Sequence, residues 1–474
     1  MITFSLCLVA LVLGYVFYGK FLTRLLGVEE KRVTPALSMT DGVDYVPMSR
    51  WKAFMIQFLN IAGLGPIFGA IMGAKFGTSS YLWIVFGSIF AGGVHDYLSG
   101  MISIRNNGES LTSIVGRYLG PTIQQVFTLF SLILMILVGV VFVSQPADLL
   151  ARLTPEVLSA NFWVGAIFVY YLFATLFPVD KIIGRIYPIF GALLIFMALG
   201  ILVSLYINQP DLPEMWNGFG TKYEKAPIFP MMFISIACGA ISGFHATQSP
   251  LMARCLTNET YGRSVFYGAM ITEGIVALIW AAAATAYFGE NGTDQTAAQI
   301  VTELSRTWLG KVGGVMAVLG VVAAPITSGD TALRSARLMI ADALHNEQKS
   351  IRHRLVISIP LFVVTLAILL FSMHDKDGFN IIWRYFSWSN QTLSVFTLWA
   401  ITVFLVREGK QYFITLIPAL FMTMVTSVYI LVAPEGLELP SALAYVLASV
   451  FTLNLLYFFI RWRKHFLDKQ KSAN

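Results

Sequence analysis

Apolar runs of about 17–25 residues, the length a helix needs to cross a bilayer, recur along the whole chain. They fall near 2–19, 53–75, 80–103, 122–144, 161–178, 187–207, 229–247, 264–288, 308–328, 354–372, 385–406, 412–432 and 440–461. That pattern predicts about thirteen transmembrane helices. The stretch from 178 to 188 reads as a tight turn or a short interfacial helix. Two runs are interrupted in the middle. The first reads Ile-Ala-Gly-Leu-Gly-Pro-Ile-Phe-Gly over Ile61–Gly69; the second runs from Cys238 to Pro250 and contains Ser242-Gly243-Phe244-His245. Proline removes a backbone donor and clashes one turn back, and glycine weakens what remains of the helix. Lipid cannot satisfy the groups freed in this way, so each break must be buried in protein or line a cavity.

The interrupted runs are the second and the seventh. Lying five spans apart, they cross the membrane in opposite directions. The spacing predicts a single transmembrane domain over 1–474, with LeuT-like inverted repeats of five helices each at 53–207 and 229–406. The first helix with its loop (1–52) and the last two helices with the tail (412–474) are peripheral. Paired interruptions of this kind point to the binding site of a secondary transporter.

Composition supports the membrane reading. The chain is 57% hydrophobic and 12% charged, with mean hydropathy +0.71, whereas soluble domains carry about a quarter charged residues. The fold class expected is therefore all-α polytopic. Of 32 Lys and Arg, 24 fall on one set of alternate loops and the tail, and 8 on the other. The positive-inside bias places the N-terminus outside and the C-terminus inside. The net charge of +6 resides in these loops and implies no nucleic-acid partner. The first span lacks a basic flank and a small-residue cleavage site and reads as retained. Cys7, Cys238 and Cys255 show neither metal nor disulfide spacing. No P-loop, HExxH or GxSxG motif appears, so neither ATP-driven transport nor hydrolysis is indicated, and no cofactor is expected beyond a coupling proton or sodium ion. Oligomeric state is not legible.

Broken half-helices offer N–H groups to a carboxylate at one end and carbonyls to a cation at the other. Asn60, Gly63, Gly65 and Pro66, with Ser242, Gly243 and His245, are accordingly the candidate solute ligands; Asn390 and Gln391 either join them or hydrogen-bond across helices. Ionisable residues at membrane depth are costly and usually functional. His95-Asp96 reads either as a proton relay or as an interfacial pair near Arg105. Glu273 is a buried carboxylate without a local sequence partner. Thr327, Ser328 and Asp330 can coordinate a cation, although Pro325 before them also reads as a helix exit. Arg334 and Arg337 read as positive-inside anchors. No spacing argues that His95, His245 and Asp330 meet.

Several motifs occur together and in order. Asp41-Gly-Val-Asp-Tyr-Val-Pro is followed by the Ile61–Gly69 segment, Val94-His-Asp-Tyr and Ser103–Leu111. Ser242–His245, Asn258-Glu-Thr, Tyr267–Met270, Ile326–Asp330 with Arg334–Arg337, and Ser389-Asn-Gln come after. As a set they resemble the carbon-starvation protein A family over about residues 40 to 400. The resemblance implies a bacterial inner-membrane protein that takes up peptides, or a keto acid such as pyruvate, when preferred carbon is exhausted. The family is grouped with the amino-acid/polyamine/organocation transporters. Gln57 departs from a His that many relatives carry there. The expected partners are therefore a small solute and the lipid bilayer.

Overall fold

A computed structural model describes residues 1–42, 44–176, 179–219, 226–344, 351–374 and 378–473. Lys222, Lys225 and Lys376, counted above as outer-side charges, lie outside these residues. Helices in chain order are α1 (Ile2–Leu26), α2 (Arg50–Ala62), α3 (Gly65–Ala74), α4 (78–105), α5 (Leu111–Leu119), α6 (Pro121–Leu153), α7 (Ala160–Leu176) and α8 (Val179–Asn208). The second half adds α9 (Ile228–Ser235), α10 (Gly243–Ala253), α11 (Glu259–Asn291), α12 (Ala297–Ala343), α13 (Ile351–His374), α14 (Gly378–Arg407), α15 (Phe413–Val432) and α16 (Ser441–Ala473). Among the described residues nine helices are long and apolar enough to cross a bilayer, or ten if the bent pair α2–α3 is one span.

Both expected breaks are present. The axis turns by 54° between α2 and α3. Gly63 sits there at φ +26°, a region that residues with a Cβ rarely enter, and Pro66 follows in the first turn of α3. In the second break Ile236 leaves α9 at φ −87°, ψ 65°, Ser242 is extended, and α10 starts at Gly243. The two breaks touch. A Cβ placed on Gly65 would lie inside the side chain of Cys238, and one on Gly239 would come within 3.7 Å of the Pro66 Cα. Glycine at 65 is thus required by the close approach of the two interrupted chains. The α11 helix packs along both halves of the first broken span, α10 lies against α4 and α14, and α6, α8 and α12 form the opposing wall.

Three expectations are corrected. Residues from 179 onward belong to the same helix as the 187–207 run, so the described part of the 178–188 stretch is neither a turn nor a separate interfacial helix. Pro325 does not end a helix: α12 runs through it to Ala343, and its deviation lies upstream at Gly310, φ +70°. Tyr171 brings its hydroxyl to the carbonyls of Phe142 (3.0 Å) and Pro325 (3.1 Å), tying α7 to α6 and to α12 at the proline. Arg334 and Arg337 are buried, 3% and 4% exposed, rather than anchored at the membrane surface. Arg334 donates to the Ala174 carbonyl at 2.6 Å.

The carboxylate of Glu259, fully buried at the start of α11, gathers three elements at one end of the molecule. It accepts from Arg105 Nε (2.7 Å) at the end of α4, from Arg32 Nη1 (3.0 Å) and from the Glu29 amide (2.8 Å). Removing one charge of a buried ion cluster leaves the others uncompensated, at a cost of about 3 kcal/mol or more. Glu259→Gln is therefore expected to lower the apparent melting temperature clearly in detergent. Glu29→Gln, at an exposed ion pair worth less than about 1 kcal/mol, is expected to leave it almost unchanged.

Candidate functional site

The second break is held open by two side chains of α14. Asn390 Oδ1 accepts from the Phe244 amide (2.8 Å), one of the unpaired N–H groups that open α10, and from Ser242 Oγ (3.0 Å). Its Nδ2 donates to the Ala237 carbonyl at 3.2 Å. Gln391 Nε2 lies 2.9 Å from the Ala237 carbonyl, 3.2 Å from that of Phe233 and 3.3 Å from that of Ile236. Side-chain amides thus take the place of the missing helical partners, as the start and end of any helix require. Of the two readings for Asn390 and Gln391, the geometry displays the hydrogen bonding across helices.

Capping α10 at Ser242 places His245 on its first turn, facing α4 and α11. Asp96 lies between two imidazoles: Oδ1 is 2.7 Å from His95 Nδ1, and Oδ2 is 2.8 Å from His245 Nδ1. His245 Nε2 in turn lies 3.4 Å from Glu273 Oε2. All four side chains are fully buried. Sequence spacing gave no reason for His95 and His245 to meet; they meet through Asp96, and Glu273 acquires His245 as its partner. Arg105 pairs with Glu259 instead, so the interfacial alternative for His95-Asp96 does not describe this geometry.

Proton bookkeeping follows from the connectivity. An ionised Asp96 accepts only, so both histidines point Nδ1–H at it. His245 Nε2 then faces Glu273 either with a proton, as imidazolium against carboxylate, or with a lone pair, as imidazole against carboxylic acid. The His245–Glu273 contact is consistent with one proton in either form. With none, a lone pair would face a buried carboxylate that makes no hydrogen bond among the described residues.

The first break meets α12. Ser328 Oγ lies 2.8 Å from the Leu59 carbonyl and 3.0 Å from that of Ala324, and Thr327 Oγ1 lies 2.8 Å from the Ala324 carbonyl. Asp330 is turned elsewhere. It accepts from Tyr187 Oη at 3.0 Å and lies 3.9 Å from Arg334, forming a second buried group apart from the histidines. On α2 the amide of Gln57 and Oδ1 of Asn60 are buried without a hydrogen-bond partner, as is Oε1 of Gln248 on α10. Gln248 and Tyr187 were not singled out from sequence. Gln248, three residues beyond His245, could have been found by helical spacing; Tyr187 offered no such signal. No group of three or more His, Cys, Asp or Glu is placed to hold a metal among the described residues.

Asn390→Ala would orphan the Phe244 amide, at a cost of about 1–3 kcal/mol when buried, whereas the Ala237 carbonyl keeps its bond from Gln391. A large fall in melting temperature is expected. Asn390→Asp keeps an acceptor for Phe244 and should retain more stability than the alanine variant, measured by thermal unfolding of the purified proteins.

Known proteins agree with this architecture. The chain resembles two transporters of solved structure: a manganese transporter from Eremococcus coleocola (TM-score 0.58, 12% identity, 90% of this chain and 98% of that one) and MhsT crystallised with L-phenylalanine (TM-score 0.58, 14%, 85% and 98%). These likenesses establish a LeuT-like fold. Among relatives, a membrane protein of Haemophilus influenzae is 42% identical over 61% of this chain and 91% of its own. The peptide transporter CstA of Campylobacter jejuni is 26% identical over 92% and 81%. The pyruvate/proton symporter BtsT of Escherichia coli is 27% identical over 57% and 47%. The model of the carbon starvation protein CstA family matches residues 1–158, 151–309 and 294–429. The chain is therefore a member of the carbon starvation protein CstA family of membrane transporters.

Proposed function

We propose that this protein is a proton-coupled secondary transporter that imports a small carboxylate-bearing solute, a peptide or a keto acid such as pyruvate, across the bacterial inner membrane. The observation that carries the reading is the buried series His95–Asp96–His245–Glu273, which begins in one straight helix and passes through the first turn of a broken one. Thirteen crossings, with the N-terminus periplasmic, the C-terminus cytoplasmic and two inverted five-helix repeats, form the frame. The names of the family relatives support the two solute classes, since one is a peptide transporter and another a pyruvate/proton symporter.

In this reading the solute binds where the breaks meet. Asn60, Gly63, Gly65 and Pro66 line one side; Ser242, Gly243 and His245 line the other. Because Asn390 and Gln391 already serve the second break, the solute finds its unmet partners chiefly on α2, where Gln57 and Asn60 retain unpaired polar atoms. The proton shared by His245 and Glu273 compensates the charge of an entering carboxylate. Binding both, or neither, is favoured over binding the anion alone, which is the energetic content of symport. Alternating access moves the broken spans against the wall of α6, α8 and α12.

A sodium-coupled variant is the second reading. The carbonyls of Leu59 and Ala324 and the hydroxyls of Thr327 and Ser328 lie within hydrogen-bonding reach of one another beside the first break, and hard cations prefer such oxygen ligands.

Proteoliposomes separate the two. Labelled pyruvate or a dipeptide is expected to accumulate under an inward proton gradient without sodium; accumulation driven by sodium alone would favour the second reading, and gradient-independent equilibration would contradict both. Glu273→Gln is expected to lose accumulation while still exchanging labelled for unlabelled solute. Gly65→Leu is expected to insert into the membrane and transport nothing, because its side chain would occupy the space of Cys238.

A further inference from the structure

A groove of about 540 Å³ opens on the flank of the molecule, away from the breaks. Its walls are Val12 and Tyr15 of α1, Phe54 of α2, and Ile271 and Ile275 of α11. No acidic side chain is among the residues lining it. Two basic groups lie at the groove, Arg50 in its lining and Arg263 beside the lining residue Tyr15. Arg50 donates its Nε to Ser264 Oγ at 2.8 Å, which fixes the guanidinium at the mouth with its terminal nitrogens outside that bond. Arg263 stacks on the Tyr15 ring at 5.3 Å. Trp51, 65% exposed, stands beside Arg50, the position an aromatic ring takes at a membrane–water boundary.

An apolar trough topped by fixed guanidinium groups and an interfacial tryptophan matches one occupant in chemistry: a lipid with a negative head and a hydrocarbon tail. We propose that the groove is a binding site for an anionic glycerophospholipid of the cytoplasmic leaflet. The phosphate lies on Arg50 and Arg263, and an acyl chain runs between α1, α2 and α11 past Phe54, Ile271 and Ile275. Charge complementarity selects the head group, since basic clefts between helices on the cytoplasmic side suit anionic lipids. The leaflet assignment rests on the orientation given under Proposed function; the binding chemistry does not. The groove is bounded by α2, the half of the first broken span that ends at Gly63, so a bound lipid braces that half against α1 and α11. Thr272, which also lines the groove, neighbours Glu273 on α11 but lies on a different face of the helix, so the lipid and the histidine network sit on separate sides of one element.

Native mass spectrometry of the detergent-purified full chain, titrated with phosphatidylglycerol or phosphatidylcholine, tests the assignment without requiring transport. Phosphatidylglycerol is expected to be retained preferentially, and Arg50→Gln to reduce that preference roughly fivefold, the worth of one basic side chain beside an anionic lipid. Thr272→Trp, which fills the groove from its wall, is expected to lower retention of both lipids, with thermal melting confirming that the variant is folded. Equal retention of the two lipids by the unmodified protein would overturn the proposal. So would phosphatidylglycerol retention unchanged by Arg50→Gln and by a folded Thr272→Trp. Failure of transport in liposomes would leave these outcomes untouched, so the two proposals fall separately.

Discussion

The carboxylate of Asp96 is the contact on which the interior of this protein turns. It is fully buried and reaches one imidazole on its own helix and another on a broken helix. An unpaired carboxylate at that depth would be prohibitively costly. The α4 and α10 helices are therefore tied together wherever Asp96 is charged. Because His245 also faces Glu273 on α11, any change in that outer proton is felt through Asp96 at His95. Three helices thus share one electrostatic unit whose smallest adjustable part is a proton. In the proposed function, that proton is what responds to a negative solute.

His245 can occupy this position only because its helix starts where it does, and the start is built by α14. Asn390 takes the α10 amide and Gln391 the orphaned carbonyls of the preceding turn. The second break thus has its first amide and its last carbonyls met from α14. The first break differs: Gly63 and Pro66 open it, α12 supports it through Ser328, and Gln57 and Asn60 remain with polar atoms unmatched. One break holds His245 against Asp96 and Glu273, and the other keeps unmet hydrogen-bonding capacity. This asymmetry gives a physical reason for a fold with two interruptions to divide recognition from coupling.

Much of this was legible in the chain, because proline, glycine and hydrophobic length act locally. The breaks within Ile61–Gly69 and at 236–242 follow from the missing donor of Pro66 and the run of small residues around Gly239 and Gly243; the second is narrower than the Cys238–Pro250 stretch, since α10 is helical from Gly243 through Pro250. Membrane class follows from composition. What the sequence could not display depends on tertiary neighbours. His95 and His245 are 150 positions apart, and only the packing of α10 on α4 brings both to Asp96. Glu273 looked solitary for the same reason. Pro325 reads locally as an exit, yet α12 continues past it, packed against α6 and α8 and held at the Pro325 carbonyl by the Tyr171 hydroxyl. Arg334 and Arg337 look like surface anchors by charge count, and their burial follows from that same continuation of α12.

The central claim is that solute and proton are linked through the His245–Glu273 pair. Calorimetric titration of the purified protein with a solute that raises its melting temperature, repeated in buffers of different ionisation enthalpy, counts the protons exchanged on binding. The account requires uptake of about one proton per solute bound, at a pH where the pair is vacant, and none in Glu273→Gln. Binding without proton exchange at every pH, or an exchange that persists unaltered in that variant, would contradict it.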